Sequence, residues 1–199
     1  MDHLTELKNQ ENSVYVQRFI RKIIDESEAN VWDSAVFEWE IVECKEDRSA
    51  NSSCICGKKH IRYLYTIRNK LNGNELEPIG SKCIEKFDRQ DFDEKIDLME
   101  RLYKLREGLE TGECTTVKSK YFSRKILEYL LNHQVFTPSI YNNNDGVNDY
   151  QFLKNIFNSR IKKLSEKQEK KMKALLYAVI LPFLKNNLQD VLFIGISRP

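Results

Sequence analysis

Catalytic sequence motifs are missing from this chain of 199 residues. Only three histidines are present, His3, His60 and His133. The sequence has no Gly-rich phosphate loop, no Gly-x-Ser-x-Gly elbow and no His-Glu-x-x-His helix. Its carboxylates are scattered without a paired spacing that would predict acid–base catalysis. We therefore expect a protein without enzymatic activity, and a small zinc nuclease is the least favoured alternative.

Long apolar runs are also missing. No stretch approaches the roughly 20 residues that span a bilayer, and the most apolar stretch, residues 174–184, contains Pro182 and is predicted to be a core helix. Residues 1–6 lack the basic and then apolar layout of a secretory signal. We therefore expect a cytoplasmic protein with no membrane partner. In that reducing compartment, clustered cysteines favour metal binding over disulfides.

No single charge sign dominates the composition, since the net charge is +2. The distribution is uneven, however. Residues 54–90 hold eight basic and four acidic side chains, and residues 150–173 hold eight and two. Two such zones are consistent with phosphate-binding surfaces. Solvated helix faces in a Lys-rich sequence would look similar, so both interpretations stay open.

The most informative stretch is Cys54-Ile-Cys56-Gly57, which is followed about twenty residues later by Gly80-Ser-Lys-Cys83. Two thiols one residue apart and a glycine that allows the chain to turn back are typical of a metal-binding knuckle. Alternation predicts a strand over residues 63–68, Asn-Gly at 72–73 predicts a turn, and residues 75–79 predict the returning strand. Ser81 is a candidate N-cap that places Cys83 in the first turn of a helix.

A structural zinc site needs four ligands. Cys54, Cys56 and Cys83 are three of them. We prefer His60 as the fourth ligand because it lies just past the knuckle. Cys44 is the alternative, since it ends a predicted strand over residues 36–44 but is separated from the knuckle by a polar loop. Buried thiols or a disulfide pair would be the non-metal interpretation, and Cys114 is predicted to be a stray thiol.

These motifs resemble a short zinc-finger-like module of uncharacterised bacteriophage and mobile-element proteins. The resemblance rests on Trp-Glu-Ile-Val at 39–42, the cysteine motifs, His-Ile-Arg-Tyr at 60–63, Tyr-Thr-Ile-Arg-Asn at 65–69 and Pro-Ile-Gly-Ser-Lys-Cys-Ile at 78–84. Residues 157–176 resemble a helix-turn-helix piece that often follows this module. The resemblance covers about a third of the chain and implies a phage origin, a bacterial host cytoplasm and a role involving nucleic acid.

The predicted fold class is α+β. Apolar spacing predicts an N-terminal helix that ends near residue 28, a small antiparallel β-hairpin zinc module of treble-clef or ribbon type, and a mainly α-helical C-terminal half. Helices are predicted over 92–109, 118–133 and 149–162, and another begins at a Ser165–Gln168 capping box. Residues 190–197 are predicted to be a last strand or extended segment. The predicted domains are residues 1–110 and 116–199.

Nucleic acid, DNA or RNA, is the predicted partner. The candidate phosphate contacts are Lys58, Lys59, Arg62, Arg68 and Lys82 near the metal, and Lys167, Lys170 and Lys171 near the start of the last helix pair. Alternation places the tyrosines and the arginines of strand 62–68 on opposite faces, which favours phosphate contact over base stacking. The alternative function is a protein-binding inhibitor of a bacterial defence system, such as a CRISPR effector.

Overall fold

The computed structural model describes residues 3–118, 120–159 and 163–190, with side chains described from residue 14 onward. Helices and a small sheet together confirm the predicted α+β class. The chain divides into two compact units. None of the helices in the described ranges is long and apolar enough to cross a membrane.

The first unit contains the residues up to Ile96 together with Gln189 and Asp190. Its helices are α1 (His3–Asp25), α2 (Trp32–Ala35), α3 (Ser81–Ile84) and the start of α4 (Gln90–Glu110). A 3-10 turn, Glu85–Phe87, follows α3. Its strands are β1 (Trp39–Glu46), β2 (Ser52–Ser53), β3 (Lys59–Ile61), β4 (Tyr63–Asn69), β5 (Glu75–Ile79) and β6 (Gln189–Asp190).

The main sheet has the strand order β5-β4-β1-β6. Strand β4 pairs antiparallel with both β1 and β5, and the register places Tyr65 opposite Cys44 on one side and Ile79 on the other. Strand β6 pairs in parallel with β1. Strands β2 and β3 form a separate two-stranded antiparallel sheet. The strand predicted over residues 36–44 is present as β1, but it begins only at Trp39, because residues 36–38 form a turn after α2, and it continues to Glu46. It pairs with β4, which contains the predicted strand of residues 63–68.

Aromatic side chains form the core of the first unit. Trp39 is fully buried, and its indole N–H donates to Ser27 Oγ at 2.9 Å. Phe19 and Phe87 pack edge to face with ring centroids 5.7 Å apart, and Phe92 lies 5.0 Å from Phe87. These contacts join α1, the 3-10 turn after α3 and the start of α4 behind the sheet.

The buried carboxylate of Glu38 fixes the segment between α1 and α2. It accepts hydrogen bonds from the backbone N–H groups of Glu28 (2.8 Å) and Ala29 (2.7 Å) and from Asn69 Nδ2 (2.6 Å). Burial alone would raise the pKa of Glu38, but these three donors outweigh it and lower the pKa below the ordinary value. The ionised carboxylate thereby ties the loop after α1 to the end of β4.

The second unit contains residues 97–188. After the rest of α4 it has α5 (Arg124–Asn132), a 3-10 turn (Ile140–Asn142), α6 (Val147–Asn158), α7 (Glu166–Ala174), a π-helical stretch (Leu175–Ile180) and α8 (Leu181–Asn187). The chain passes between the units inside α4. The domain boundary predicted at residues 110–116 stays a prediction.

Side-chain caps fix several of these helix starts. Ser123 Oγ accepts from the backbone N–H of Ile126 at the start of α5. The predicted capping box is present, because Ser165 and Gln168 each bond the other's backbone N–H. The helix predicted over residues 149–162 corresponds to α6. Its predicted end at 160–162 and the predicted segment beyond residue 190 lie outside the described residues.

We predict that Gly146→Ala destabilises the second unit by about 2 kcal/mol, within the range of overpacked sites. Gly146 has ordinary helical dihedrals (φ −61, ψ −26), so the backbone tolerates alanine. The added Cβ, however, would clash with the backbone carbonyl oxygen of Phe136. Urea denaturation measures the change. Val147→Ala at the neighbouring position, whose side chain is 46% exposed, should stay within about 0.5 kcal/mol. Equal stability of Gly146→Ala and the native chain would contradict this packing.

Candidate metal centre

Three cysteine sulfurs converge beside the end of β5. The Sγ atoms of Cys54, Cys56 and Cys83 all lie within 4.8 Å of one another. Cys54 and Cys56 are buried and Cys83 is half-buried. None of the five cysteines, all of which are described, forms a disulfide. Three sulfurs at this spacing have the geometry of a metal site.

Backbone hydrogen bonds fold the chain around this group. The N–H of Cys54 donates to the carbonyl of Lys58, and the N–H of Gly57 donates to the carbonyl of Cys54, both at 2.8 Å. Gly57 has φ +95, in the left-handed region that favours glycine. The N–H of Ile55 donates to the carbonyl of Pro78 at 2.9 Å and joins this turn to β5. The third sulfur arrives directly after β5, on α3.

Two further backbone N–H groups point at the sulfurs. The N–H of Gly80 lies 3.4 Å from Cys54 Sγ, and that of Lys58 lies 3.4 Å from Cys56 Sγ. Such donors stabilise a thiolate more than a neutral thiol. Both therefore favour the charged ligand form that a metal ion requires.

The three thiols cannot all ionise on their own. The hydrogen bond from Cys83 lowers the pKa of Cys54 to about 6. The same contact raises the pKa of Cys83, and burial raises that of Cys56. The pKa values shift in opposite directions because a thiolate at one cysteine repels the negative charge that would form on its neighbours. A bound cation would take the place of the thiol protons and compensate the repulsion between the three thiolates.

The two candidates for a fourth ligand lie outside this group. His60 is exposed in β3, and its Nδ1 lies 3.2 Å from the carbonyl oxygen of Ala50. Cys44 is buried in β1, with its Sγ 3.9 Å from the carbonyl oxygen of Lys45. Within the described ranges, the structure thus brings together three of the four predicted ligands and leaves His60 apart.

Cys114 belongs to the second unit and is not a member of the three-cysteine group. It is fully buried, and burial raises the pKa of its thiol to about 11. A thiol that stays protonated at neutral pH is a poor nucleophile. This agrees with its prediction as a stray thiol.

Asp47 orders the loop that leads to Cys54, and sequence reasoning missed it. One carboxylate oxygen accepts from the N–H (3.0 Å) and hydroxyl (2.6 Å) of Ser49. The other accepts from the N–H of Asn51 (2.9 Å) and the N–H and hydroxyl of Ser52 (both 2.8 Å). Burial opposes ionisation, but these donors lower the pKa of Asp47 to about 2. An aspartate followed by serines at +2 and +5 was the available sequence signal for such a turn.

The predicted basic surface divides into two kinds of residue. Arg62 pairs with buried Glu46 at 2.7 Å and Arg68 with Glu75 at 2.8 Å. The lysines adjacent to the ligands are more exposed. Lys58 lies over the ring of Tyr15 at 5.7 Å and Lys59 is exposed in β3. Lys82 pairs with Glu85, but its side chain is 89% exposed.

One contact corrects the sequence interpretation of this strand. The guanidinium carbon of Arg62 lies 5.6 Å from the ring centroid of Tyr63. The expectation that arginines and tyrosines are kept apart on opposite faces is therefore wrong for this pair. Arg62 turns toward its neighbour because Glu46 holds its guanidinium.

The second predicted basic group also has acidic partners. Lys170 pairs with Glu166 and Lys171 with Asp149, both at 2.7 Å, while Lys167 is exposed. Helix α6 ends at Asn158 and α7 begins at Glu166. DNA reading by this helix pair remains a prediction.

Comparison with known proteins gives no functional assignment. No family model matches the chain, and neither curated proteins nor solved structures provide a match. The resemblance to phage zinc-finger-like modules therefore stays an expectation from the sequence motifs.

We predict that Asp47→Ala lowers the free energy of unfolding by about 2 kcal/mol, because buried backbone donors would lose their acceptor. Amide hydrogen exchange at Ser49 and Ser52 should accelerate as well. Urea denaturation and exchange measured by NMR test both effects. Glu40→Ala, which removes an exposed carboxylate from β1, should change stability by less than about 0.5 kcal/mol. Unchanged exchange in Asp47→Ala would contradict the role of this carboxylate.

Proposed function

We propose that the chain is a non-enzymatic zinc protein whose metal is held by Cys54, Cys56 and Cys83. Thiolate sulfur is a preferred ligand of zinc, and closed sulfur-rich sites are typically structural. The proposed arrangement is treble-clef-like, with the knuckle of residues 54–57 and the start of α3 as its two halves. His60 remains the proposed fourth ligand, and its ring would then leave the Ala50 carbonyl.

We expect the purified native protein to contain about one zinc ion per chain. Chelation should unfold the first unit, because a structural zinc ion contributes on the order of 10 kcal/mol to folding. Elemental analysis and thermal denaturation with and without chelator measure the two effects. Cys83→Ser should lose the metal, whereas Cys114→Ser, which removes a thiol of the second unit, should keep it.

Cobalt substitution tests the ligand set in the same protein. Three thiolates should give strong sulfur-to-cobalt charge-transfer absorption, and His60→Ala should change the visible bands only if the imidazole is bound. A native protein without stoichiometric metal, or a Cys83→Ser variant that retains it, would refute the zinc proposal.

The proposed partner of this zinc module is nucleic acid. The supporting observation is that three exposed lysines adjoin the sulfur ligands in sequence. Lys58 and Lys59 follow Cys56, and Lys82 precedes Cys83. A metal that fixes the sulfurs also fixes the backbone that carries these ammonium groups. Phosphate contacts of this kind give affinity without sequence preference.

Arg62 and Arg68 take a smaller part in this proposal than in the sequence-based one. Their guanidinium groups already contact Glu46 and Glu75. The pair of Lys82 with Glu85 is different, because an ion pair at so exposed a position contributes little and exchanges readily for phosphate. A phage or mobile-element protein acting in a bacterial host is the proposed context.

We predict that the double variant Lys58→Glu, Lys59→Glu weakens binding to a random-sequence single-stranded oligonucleotide at least tenfold. The slope of log affinity against log salt should fall by roughly 1.5, the share of two phosphate contacts. Fluorescence anisotropy at roughly 50 mM salt and above measures both quantities. DNA and RNA oligonucleotides are tested in parallel.

Lys70→Glu is the matched control, because it is an exposed lysine in the turn between β4 and β5, at the other end of that strand pair. It should retain nearly native affinity. Absence of binding to both DNA and RNA would refute the nucleic-acid proposal. Recovery of a stoichiometric host protein in a pull-down would then favour the alternative, an inhibitor of a bacterial defence system.

A further inference from the structure

A half-open cavity of about 640 Å³ lies in the second unit. Its walls come from the segment before α6, from α6 itself, and from α7 with the π-helical stretch. The apolar lining is formed by Phe136, Phe152, Ala174, Leu175, Ala178 and Val179. A volume of this size and an apolar lining with few polar groups are the usual properties of a small-molecule site.

One ammonium group is held in place at the cavity. Lys171 Nζ lies 2.7 Å from Asp149 Oδ1, 3.3 Å from the carbonyl oxygen of Tyr141, and 5.1 Å from the ring centroid of Phe152. Asp149 is 6% exposed, and its other oxygen accepts from Asn142 Nδ2 at 2.7 Å. An ammonium has three N–H donors. The two oxygen contacts made by the described residues leave one donor for an incoming anion.

The charge balance of the lining is positive. Lys167 and Lys171 are its cations and Asp149 is its anion. Asp149 compensates Lys171, so the charge of exposed Lys167 remains at the cavity mouth beside Gln168. This polar end contrasts with the apolar wall formed by the alanines and Val179.

The walls also show two features that a simple packing site does not need. The helix lining the cavity widens to a π-helix over Leu175–Ile180, a geometry that is rare and often found at functional sites. Tyr141, which lines the cavity, is 83% exposed, and its sequence neighbour Ile140 is 78% exposed. Exposed apolar side chains beside an apolar cavity would be covered by a ligand that extends out of it.

We propose that this cavity binds a small amphiphilic anion, with an apolar chain against Phe152 and Val179 and a carboxylate-like group at Lys167 and Lys171. The apolar lining supplies affinity through buried area, Lys167 supplies the uncompensated positive charge, and Lys171 supplies a further N–H donor. This site is separate from the three-cysteine group. Its test can fail without affecting the zinc proposal.

Decanoate is the probe, used below its micellar concentration with the full-length protein. Isothermal titration calorimetry should show saturable binding at one site per chain. In ¹H–¹⁵N NMR spectra the shifted amides should cluster at residues 136–142 and 167–179. The matching ten-carbon alcohol, which lacks the charge, should bind about tenfold more weakly, or about 1.4 kcal/mol.

Three variants of exposed residues locate the site without disturbing the core. Lys167→Glu should weaken decanoate binding about tenfold and leave alcohol binding unchanged. Lys170→Glu, on the same helix but outside the lining, should bind decanoate within about twofold of the native protein. Ala178→Phe should abolish both interactions by filling the cavity, because Ala178 is exposed toward it.

Several results would overturn the proposal. These are absence of saturable decanoate binding, equal affinity for the alcohol, or equal loss in Lys167→Glu and Lys170→Glu. Concentration-dependent shifts of the same amides without decanoate would show instead that a second copy of the chain occupies the cavity.

Discussion

Electrostatic repulsion among three crowded sulfurs is the constraint on which the proposed metal centre depends. Cys54, Cys56 and Cys83 come from a turn and a helix start that are joined through β5 and the backbone bonds around it. Neutral thiols can share this space, but three thiolates need a cation between them. The donors from Lys58 and Gly80 favour the charged form. The local geometry thus fits the proposed binding of a metal ion.

Buried carboxylates perform a similar task for the irregular segments. Glu38 accepts from the backbone after α1, and Asp47 accepts from the loop before the knuckle. In both places the chain has few backbone partners of its own, so an ionised side chain takes the place of a sheet or helix acceptor. The positions of Cys54 and of the β4 end are consequently fixed by hydrogen bonding as much as by apolar packing. Both carboxylates belong to the first unit.

The sequence predicted features whose signals are local. The signals for the strand at 63–68, for the Ser165–Gln168 capping box and for the Cys54–Cys56 pair all arise within a few residues, and the structure contains each of these features. Burial in β4 does not alternate as predicted, because consecutive residues from Leu64 to Ile67 are all buried. Features that require distant partners were not predictable in this way. Arg62 is a predicted phosphate contact, but its guanidinium donates to the carboxylate of Glu46, sixteen residues away. His60 follows the knuckle in sequence, yet β3 directs it toward Ala50. The cavity near Lys171 exists only after residues 136–179 pack together.

Strand β6 lies late in the sequence, and this position affects how the sheet forms during synthesis. Gln189 and Asp190 pair with Lys45 and Glu46 of β1, although the whole second unit lies between them in the sequence. During synthesis, β1 and β4 emerge early, but the partner on the outer side of β1 arrives only after α8. Until then β1 presents an open edge, and such edges recruit strands from other chains. A nascent or truncated form that ends before Gln189 would therefore be prone to aggregation through this edge, whereas in the longer chain Gln189 and Asp190 pair with the Lys45–Glu46 end of β1.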